Sequence, residues 1–320
     1  MKRETLEKYQ VFIYLTGILL GLLVGMKFPA QSQILEWALW PLLGMLLYTT
    51  FTQVPLAHLQ EAFSDSRFML AAVIGNFVVL PLIVWGLMST GPNLPAVKLG
   101  ILLVLLVPCT DWFITFTHLG GGDTKRAIAF SPVSLLLQLI LLPVYIWHFL
   151  GSEITTSVMQ RELILAFFGL IVLPLVAAFA TEKWAEKREG REAILNAFGW
   201  FPVPLLALVV FSIAAAQINV VIDSLGILPS LFAVFSAFLL IAGFLSLVLS
   251  KIFSLPTDQG RVLAFSLGSR NSFVVLPLAL SLPSSFELTV VVIVFQSLVE
   301  LFGMAAYIWW VPKKLYPSAT

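Results

Sequence analysis

Two short polar segments carry the residues best suited to binding a solute. They are VPCTD at 107–111 and GSRNS at 268–272, and each lies within an otherwise apolar stretch. Proline removes a backbone donor and disfavours a helical residue before it, and glycine weakens a helix, so both segments are predicted to interrupt helices. The freed peptide groups and helix ends can then hold an ion or a polar solute, with N-terminal ends favouring anions.

The two segments carry opposite charges, Asp111 in the first and Arg270 in the second. A lone charge at the centre of a membrane helix costs about 3 kcal/mol on insertion scales, so such charges usually pair or face a cavity. We therefore predict that Asp111 and Arg270 face each other. They form either a structural ion pair or a fixed cation beside the substrate with Asp111 as its gate or counter-ion. The predicted substrate-binding set also contains their neighbours Cys109, Thr110, Asn271 and Ser272.

A third charge, Glu300, lies near the middle of the last apolar stretch, with Gln296 one helical turn before it on the same face. A carboxyl group in this position can exchange protons and act as a coupling site, or it can fix helix packing through hydrogen bonds. Other polar residues in apolar stretches either line the site or make interhelical hydrogen bonds. They are Asn76, Ser134, Gln138 and Ser266.

The composition predicts the elements that must position these residues. The chain is 59% hydrophobic and 11% charged, with a mean hydropathy of +0.99, which is typical of a polytopic membrane protein. A spanning helix needs about 20 apolar residues. We predict an all-α membrane protein with ten transmembrane helices, near 9–27, 34–54, 68–88, 97–118, 124–150, 160–181, 196–217, 228–250, 261–282 and 286–311. This leaves no room for a soluble domain, and the predicted partners are a small solute and the lipid bilayer, with no nucleic acid.

The topology follows from the distribution of Lys and Arg. These residues concentrate in one alternating set of connecting segments, which includes both termini, so both termini are predicted to be cytoplasmic in a multi-pass inner-membrane protein. Residues 1–180 are predicted to form the first five-helix repeat and 181–195 a charged cytoplasmic linker. Residues 196–320 complete the second repeat, whose first helix is 160–181. Because five is odd, the repeats are inverted, as in many secondary transporters, and the interrupted fourth and ninth helices are partners.

The chain resembles a known superfamily. Ten spans, together with PCTDWFITFTHLGGGD at 108–123 and SRNSF at 269–273, are similar to the bile acid:sodium symporter superfamily. Within it, the arsenite efflux permeases are most similar, through Pro108, Cys109 and Thr110 and an acid like Glu300 in the last span. The resemblance implies a panel domain of helices 1, 2, 6 and 7 that moves against a core domain of helices 3–5 and 8–10, with helices 4 and 9 crossed.

The resemblance also implies that Cys109 contributes to the handling of trivalent arsenic, because a thiolate is a soft ligand. The alternative is a small apolar Cys in a crowded helix crossing. A single Cys excludes an internal disulfide and a multi-cysteine metal site, and no metal or cofactor is predicted.

The chain also departs from the family pattern. The permeases have an acid in the ninth span where this chain has Val274, which leaves direct arsenite binding by that span in doubt. Where the sodium-coupled members have the residues that bind sodium, this chain has Phe113, Ile114, Ser266 and Arg270. Hard cations need oxygen ligands, and an Arg would repel sodium, so we expect no sodium coupling and interpret Arg270 as a permanent substitute for the coupling cation.

The sequence therefore predicts a secondary transporter that works by alternating access and exports arsenite or a related small metalloid oxyanion, with proton exchange as one coupling mode. The alternative is a transporter of a small organic anion, because a fixed Arg beside helix N-termini suits a carboxylate. An intramembrane enzyme with Cys109 as nucleophile is disfavoured because no His falls at its depth, so no catalytic residue is predicted. A receptor or scaffold is disfavoured because large loops are absent from the sequence.

Overall fold

The computed structural model describes residues 3–28, 32–55, 66–150, 157–187 and 190–317, and these are helical, with no named strand. The α-helices, in chain order, are α1 (Arg3–Lys27), α2 (Ser32–Phe51), α3 (Ser66–Ile74), α4 (Leu80–Met88), α5 (Pro95–Leu106), α6 (Trp112–Leu119), α7 (Thr124–Leu150), α8 (Ser157–Ala166), α9 (Leu173–Glu186), α10 (Glu192–Phe198), α11 (Pro202–Ala216), α12 (Ile218–Asp223), α13 (Leu228–Ile252), α14 (Thr257–Gly268), α15 (Ser272–Leu280) and α16 (Leu288–Trp310).

Eight helical stretches of the described residues are long and apolar enough to cross a membrane. The chain is therefore a multi-pass membrane protein, as its composition predicts. The fourth predicted span consists of α5 and α6, and the ninth consists of α14 and α15, so each contains two short helices in place of one long helix. Ten membrane crossings and an inverted repeat stay predictions.

A π-helical turn, Gly75–Val79, joins α3 to α4 without a break in the helical stretch. Pro81 lies at the start of α4 and has no backbone N–H to donate to the carbonyl of Phe77, four residues earlier. The hydroxyl of Tyr145 on α7 donates to that carbonyl. Two long stretches of the chain are thus connected at a peptide group that proline leaves unpaired.

The helices divide into two compact units. The first unit contains α1, α2 and α8 to α12. In it, α1 packs closely on α11 through Gly17, Gly21 and Gly25, which lie one turn apart. A Cβ atom at Gly21 would lie 2.3 Å from the carbonyl oxygen of Phe211, so this contact requires glycine. Small residues at such spacing allow helix backbones to approach closely in membranes.

The second unit contains α3 to α7, α13, α14 and most of α16. Near the ends of its helices, Arg261 donates to the carbonyl of Gly121 at 2.9 Å and, through Nε and Nη2, to the carbonyl of Tyr316 at 3.1 and 2.8 Å. Gly121 has a φ of 67°, a conformation that other residues rarely adopt. The chain after α16 is thereby held against the α6–α7 loop.

The cytoplasmic linker at 181–195 stays a prediction, and α9 continues into this segment as far as Glu186. Its polar residues are good helix formers, and Lys183 pairs with Glu186 at 3.1 Å, one turn away. Beyond the helix, the Arg191 guanidinium lies 4.0 Å from the centre of the Trp184 ring.

Candidate functional site

The first interruption follows α5. Val107 has extended backbone angles, φ −107° and ψ 104°, because the following Pro108 disfavours the helical conformation. The chain resumes as α6 at Trp112, with Asp111 at the N-terminal boundary of that helix. The predicted break at 107–111 is therefore observed.

The second interruption follows α14. Ser269 is extended, with φ −100° and ψ 139°, and α15 begins at Ser272. A Cβ atom at Gly268 would lie 2.7 Å from the Tyr307 ring on α16, so glycine at the end of α14 allows this close packing. The predicted break at 268–272 is therefore also observed.

The two breaks meet and pair through their backbones as a short antiparallel bridge between Pro108 and Arg270. The Cys109 N–H donates to the Ser269 carbonyl at 3.1 Å, and the Asn271 N–H donates to the Val107 carbonyl at 2.7 Å. This pairing satisfies peptide groups that the interruptions free, which is a condition for irregular backbone at membrane depth.

Side chains reinforce the bridge on both strands. Thr110 accepts a hydrogen bond at its hydroxyl from the amide of Asn271 at 3.3 Å, and its carbonyl accepts one from the hydroxyl of Ser131 on α7. The Asn271 side-chain oxygen also accepts from the N–H of Val274 at 3.4 Å, in the first turn of α15. Thr110 and Asn271, both predicted site residues, are thus in direct contact.

Arg270 is 3% exposed, and its guanidinium binds oxygen atoms on three elements. Nη2 donates to the Ser266 and Leu267 carbonyls at 2.9 and 2.7 Å and to Asn76 Oδ1 at 2.8 Å. Nη1 donates to the Leu105 carbonyl at 3.3 Å. The guanidinium carbon also lies 5.4 Å from the centre of the Phe238 ring.

The predicted contact between Asp111 and Arg270 is absent from the bonds of this guanidinium, which go to carbonyl oxygens and Asn76. The carbonyls belong to the C-terminal ends of α5 and α14, where a helix dipole carries partial negative charge. These carbonyls bind the guanidinium in place of the carboxylate that was predicted from the sequence. Asp111 is partly exposed, and its Oδ1 accepts a hydrogen bond from the Cys109 thiol at 3.3 Å.

Glu300 and Gln296 on α16 are buried and belong to one hydrogen-bonded chain with the second break. Glu300 Oε2 accepts from the backbone N–H of Arg270 at 2.9 Å and from the Gln296 amide at 2.7 Å. Gln296 Oε1 accepts from the Ser272 hydroxyl at 2.9 Å. The structure thus brings Glu300, Gln296, Arg270 and Ser272 together.

The four remaining predicted polar residues, Asn76, Ser266, Ser134 and Gln138, fall into two pairs. Asn76 Nδ2 donates to the Ser266 hydroxyl at 3.1 Å, so these two form the interhelical hydrogen bond that was one of their two interpretations. Ser134 and Gln138 are buried on α7, and among the described residues neither the Ser134 hydroxyl nor the Gln138 amide has a hydrogen-bond partner.

Sequence reasoning missed Ser131 and Tyr307. Ser131 holds the Thr110 carbonyl, and Tyr307 donates its hydroxyl to the Leu239 carbonyl while its ring packs on Gly268. Ser131 lies one turn before Ser134, so a search for polar residues on one face of α7 would have found it. Tyr307 gives no such signal, because tyrosines near the end of a membrane helix are common.

Two comparisons with known proteins agree with this architecture. The model of the sodium bile acid symporter family matches residues 40–224, which is more than half of the chain. The chain is also similar to YocS of Bacillus subtilis (strain 168), described as an uncharacterized sodium-dependent transporter. The two are 21% identical over 254 residues, which cover 78% of this chain and 75% of the relative.

Proposed function

Since the chain belongs to the sodium bile acid symporter family, we propose that it is a secondary transporter that exports arsenite or a related small metalloid oxyanion across the inner membrane, without sodium coupling. The observation that carries this proposal is the hydrogen bonding of Arg270. Its guanidinium is directed at four oxygen acceptors, three of them peptide carbonyls at broken helix ends.

This arrangement supports sodium independence. Oxygen atoms that converge from several elements are what a hard cation requires, and here a tethered guanidinium already occupies their centre. A sodium ion in the same place would have to displace the Arg270 side chain against its charge and its hydrogen bonds. The coupling cation of a sodium symporter is therefore replaced by a residue.

The hydrogen bonds of the Arg270 guanidinium also indicate which charge the transported solute carries. A carboxylate or sulfonate bound by Arg270 would need donors from its guanidinium, but Nη2 is shared among three acceptors and Nη1 already donates to one, which leaves the buried Nε as the nitrogen without a partner among the described residues. Arsenous acid is neutral at physiological pH and needs no fixed cation. This favours a neutral metalloid acid over an organic anion.

Cys109 and Asp111 supply the chemistry for arsenic. The thiol is 2% exposed at the crossing, and its hydrogen bond to Asp111 Oδ1 at 3.3 Å places a proton acceptor next to the sulfur. Trivalent arsenic is thiophilic, and displacement of a hydroxyl group from As(OH)₃ by the Cys109 sulfur releases water as the thiol proton leaves. Asp111 can pass that proton from the sulfur to the departing hydroxide, and water returns a proton to the sulfur by the reverse route when the arsenic leaves the site.

Glu300 provides a path for coupling to protons. Its carboxylate binds the Arg270 backbone and Gln296, so its protonation would change hydrogen bonds at the break itself.

We interpret the second unit as the core that carries the crossing and the first as the panel of an alternating-access transporter with cytoplasmic termini.

An organic anion is the second candidate cargo, because α6 and α15 both begin at the breaks, at Trp112 and Ser272. Helix N-termini present unpaired N–H groups and a partial positive charge, which favour a carboxylate or a sulfonate. This candidate needs no donor from Arg270.

Purified protein in liposomes tests the proposal. We expect saturable arsenite flux that is equal in sodium and choline buffers and that exceeds the flux of taurocholate. YocS is described as sodium-dependent, so stimulation by sodium is the result that would refute the proposed coupling. Absence of arsenite flux together with taurocholate flux would replace the first cargo with the second.

The variant Cys109→Ser, compared with Cys109→Ala, isolates the role of sulfur. Serine keeps a hydrogen-bond donor for Asp111 but is a hard ligand, so we expect both variants to lose arsenite flux to a similar extent, by roughly tenfold or more. Wild-type flux in Cys109→Ser would reduce Cys109 to a packing and hydrogen-bonding residue.

A further inference from the structure

Ser134 and Gln138 of α7 present unpaired polar groups inside the second unit. Gln138 is 1% exposed and Ser134 is fully buried, and the amide nitrogen, amide oxygen and hydroxyl have no hydrogen-bond partner within the part of the chain that the structure describes. More than nine in ten buried polar groups in proteins are paired, because an unpaired one loses its interaction with water. Three unpaired atoms within about one helical turn indicate that a partner other than the described residues completes this surface.

The position of these residues relates them to the crossing. Ser131 and Tyr145 lie seven residues before and after Gln138, and residues at that spacing share one stripe of a helix. Ser131 donates to the carbonyl of Thr110 in the first break, and Tyr145 donates to the carbonyl of Phe77. Gln138 lies about 10 Å along the stripe from each end, at 1.5 Å per residue. The unpaired groups therefore lie between the first break and the π-helical turn.

We propose that Ser134 and Gln138 form a binding surface for the transported solute and that it selects a small neutral solute with several hydroxyl groups. This inference rests on the proposed transport function and defines its substrate class. A Gln amide offers both donors and an acceptor, and a Ser hydroxyl offers one donor with acceptor capacity. Hydroxyl groups that donate and accept pair with all of these atoms, whereas a carboxylate or sulfonate only accepts and leaves the Gln138 oxygen unpaired.

The first experiment separates binding from packing. In Gln138→Met and in Ser134→Ala the unpaired atoms are removed, so the solute-free protein should unfold at a higher temperature. The KM for arsenite should rise by on the order of tenfold, with a smaller change in kcat. Thr50→Val is the matched control, because the buried Thr50 hydroxyl on α2 also has no partner among the described residues. It should raise the unfolding temperature and leave KM unchanged.

A second experiment does not depend on arsenite. In a Cys109→Ser background, which lacks every native thiol, Gln138→Cys should react with 2-aminoethyl methanethiosulfonate if this surface is wet. Leu135→Cys, at a fully buried apolar position on the same helix, should not. An unreactive Gln138→Cys protein, or an unchanged KM in both Gln138→Met and Ser134→Ala, overturns the inference. Labelling at position 138, together with a wild-type protein that moves no arsenite, would preserve the polar surface and refute the proposed cargo.

Discussion

Replacement of Arg270 by alanine is the sharpest test of the tethered-cation interpretation. The substitution removes donors from four buried acceptors: the Leu105, Ser266 and Leu267 carbonyls and Asn76 Oδ1. A buried acceptor left without its donor costs about 1–3 kcal/mol, so loss of all four bonds should cost on the order of 3–5 kcal/mol once neighbouring groups relax. At about 2–4 °C per kcal/mol for domains of 150–250 residues, the midpoint of thermal unfolding should fall by roughly 6–20 °C.

The specific consequence concerns cations. Arg270→Ala leaves an oxygen-lined space where the guanidinium was, and sodium can enter it. If sodium binds with a dissociation constant ten times below its concentration, it restores about 1.4 kcal/mol of stability, or roughly 3–6 °C. Thermal unfolding followed by tryptophan fluorescence in sodium chloride and in choline chloride measures this difference. Wild-type protein should unfold at the same temperature in both salts.

Two controls accompany this measurement. Arg270→Lys keeps the charge and three donors, so it should be more stable than Arg270→Ala and insensitive to sodium. Arg126→Ala removes a partly exposed arginine that lies 3.7 Å from Asp123, and such a pair contributes at most about 1 kcal/mol. An Arg270→Ala protein that unfolds at the wild-type temperature, or that shows no difference between the two salts, would refute the reasoning.

Three further predictions concern the proton site and the packing of each unit. Glu300→Gln keeps an oxygen that can accept from the Arg270 N–H and from Gln296, so arsenite counterflow should persist while flux driven by a pH gradient is lost; retained pH-driven flux would exclude Glu300 as the coupling site. Gly21→Ala places a methyl group 2.3 Å from a carbonyl oxygen of α11 and should lower the unfolding midpoint by several degrees, whereas Gly44→Ala, whose nearest neighbour is 4.0 Å away, should not; equal midpoints would contradict the close packing of α1 and α11. Tyr316→Phe removes hydrogen bonds of 2.8 and 3.1 Å to two serines of α13 and should cost about 1–2 kcal/mol near neutral pH. Because burial raises the pKa of Tyr316 above 10, the folded state keeps a proton that the unfolded chain loses, so this difference should shrink as pH rises above 10; denaturant titrations at several pH values measure it, and a constant difference would argue against the buried phenol.

The breaks were predictable from the sequence because their causes are local. Pro108 has no backbone N–H and disfavours the helical conformation of the residue before it, and Gly268 has no Cβ atom. Neither effect depends on tertiary contacts. The pairing of the two breaks was harder to predict from the sequence. Hydrogen bonds between Cys109 and Ser269 and between Asn271 and Val107 use only backbone atoms, which every residue carries.

The partner of Arg270 was predicted wrongly for the same reason. Sequence reasoning compares side chains, and the only acidic side chain in the two breaks is Asp111. The neutral carbonyl ends of two interrupted helices provide comparable negative potential, but that potential exists only after the helices are broken and brought together. In this protein the guanidinium of Arg270 is bound by peptide carbonyls and Asn76, while the carboxylate of Glu300 accepts from the Arg270 backbone N–H.

A guanidinium held in this way constrains how transport can be driven. Arg270 keeps its charge throughout the cycle, because an arginine does not lose its proton in a protein. In the hydrogen-bonded chain at the second break, Glu300 is the residue whose charge can change. If the cargo is also neutral, it carries no charge across the membrane itself. Any response of arsenite flux to the membrane potential must then be carried by a proton or by movement of the fixed charges themselves. Potentials set by potassium and valinomycin should accelerate flux in the wild-type protein when a proton moves with each arsenite, and the response should disappear in Glu300→Gln. A response that survives this substitution would mean that Asp111 carries the proton in place of Glu300, or that a charged cargo or Arg270 itself moves through the field. The first of these is tested by Asp111→Asn in the same assay.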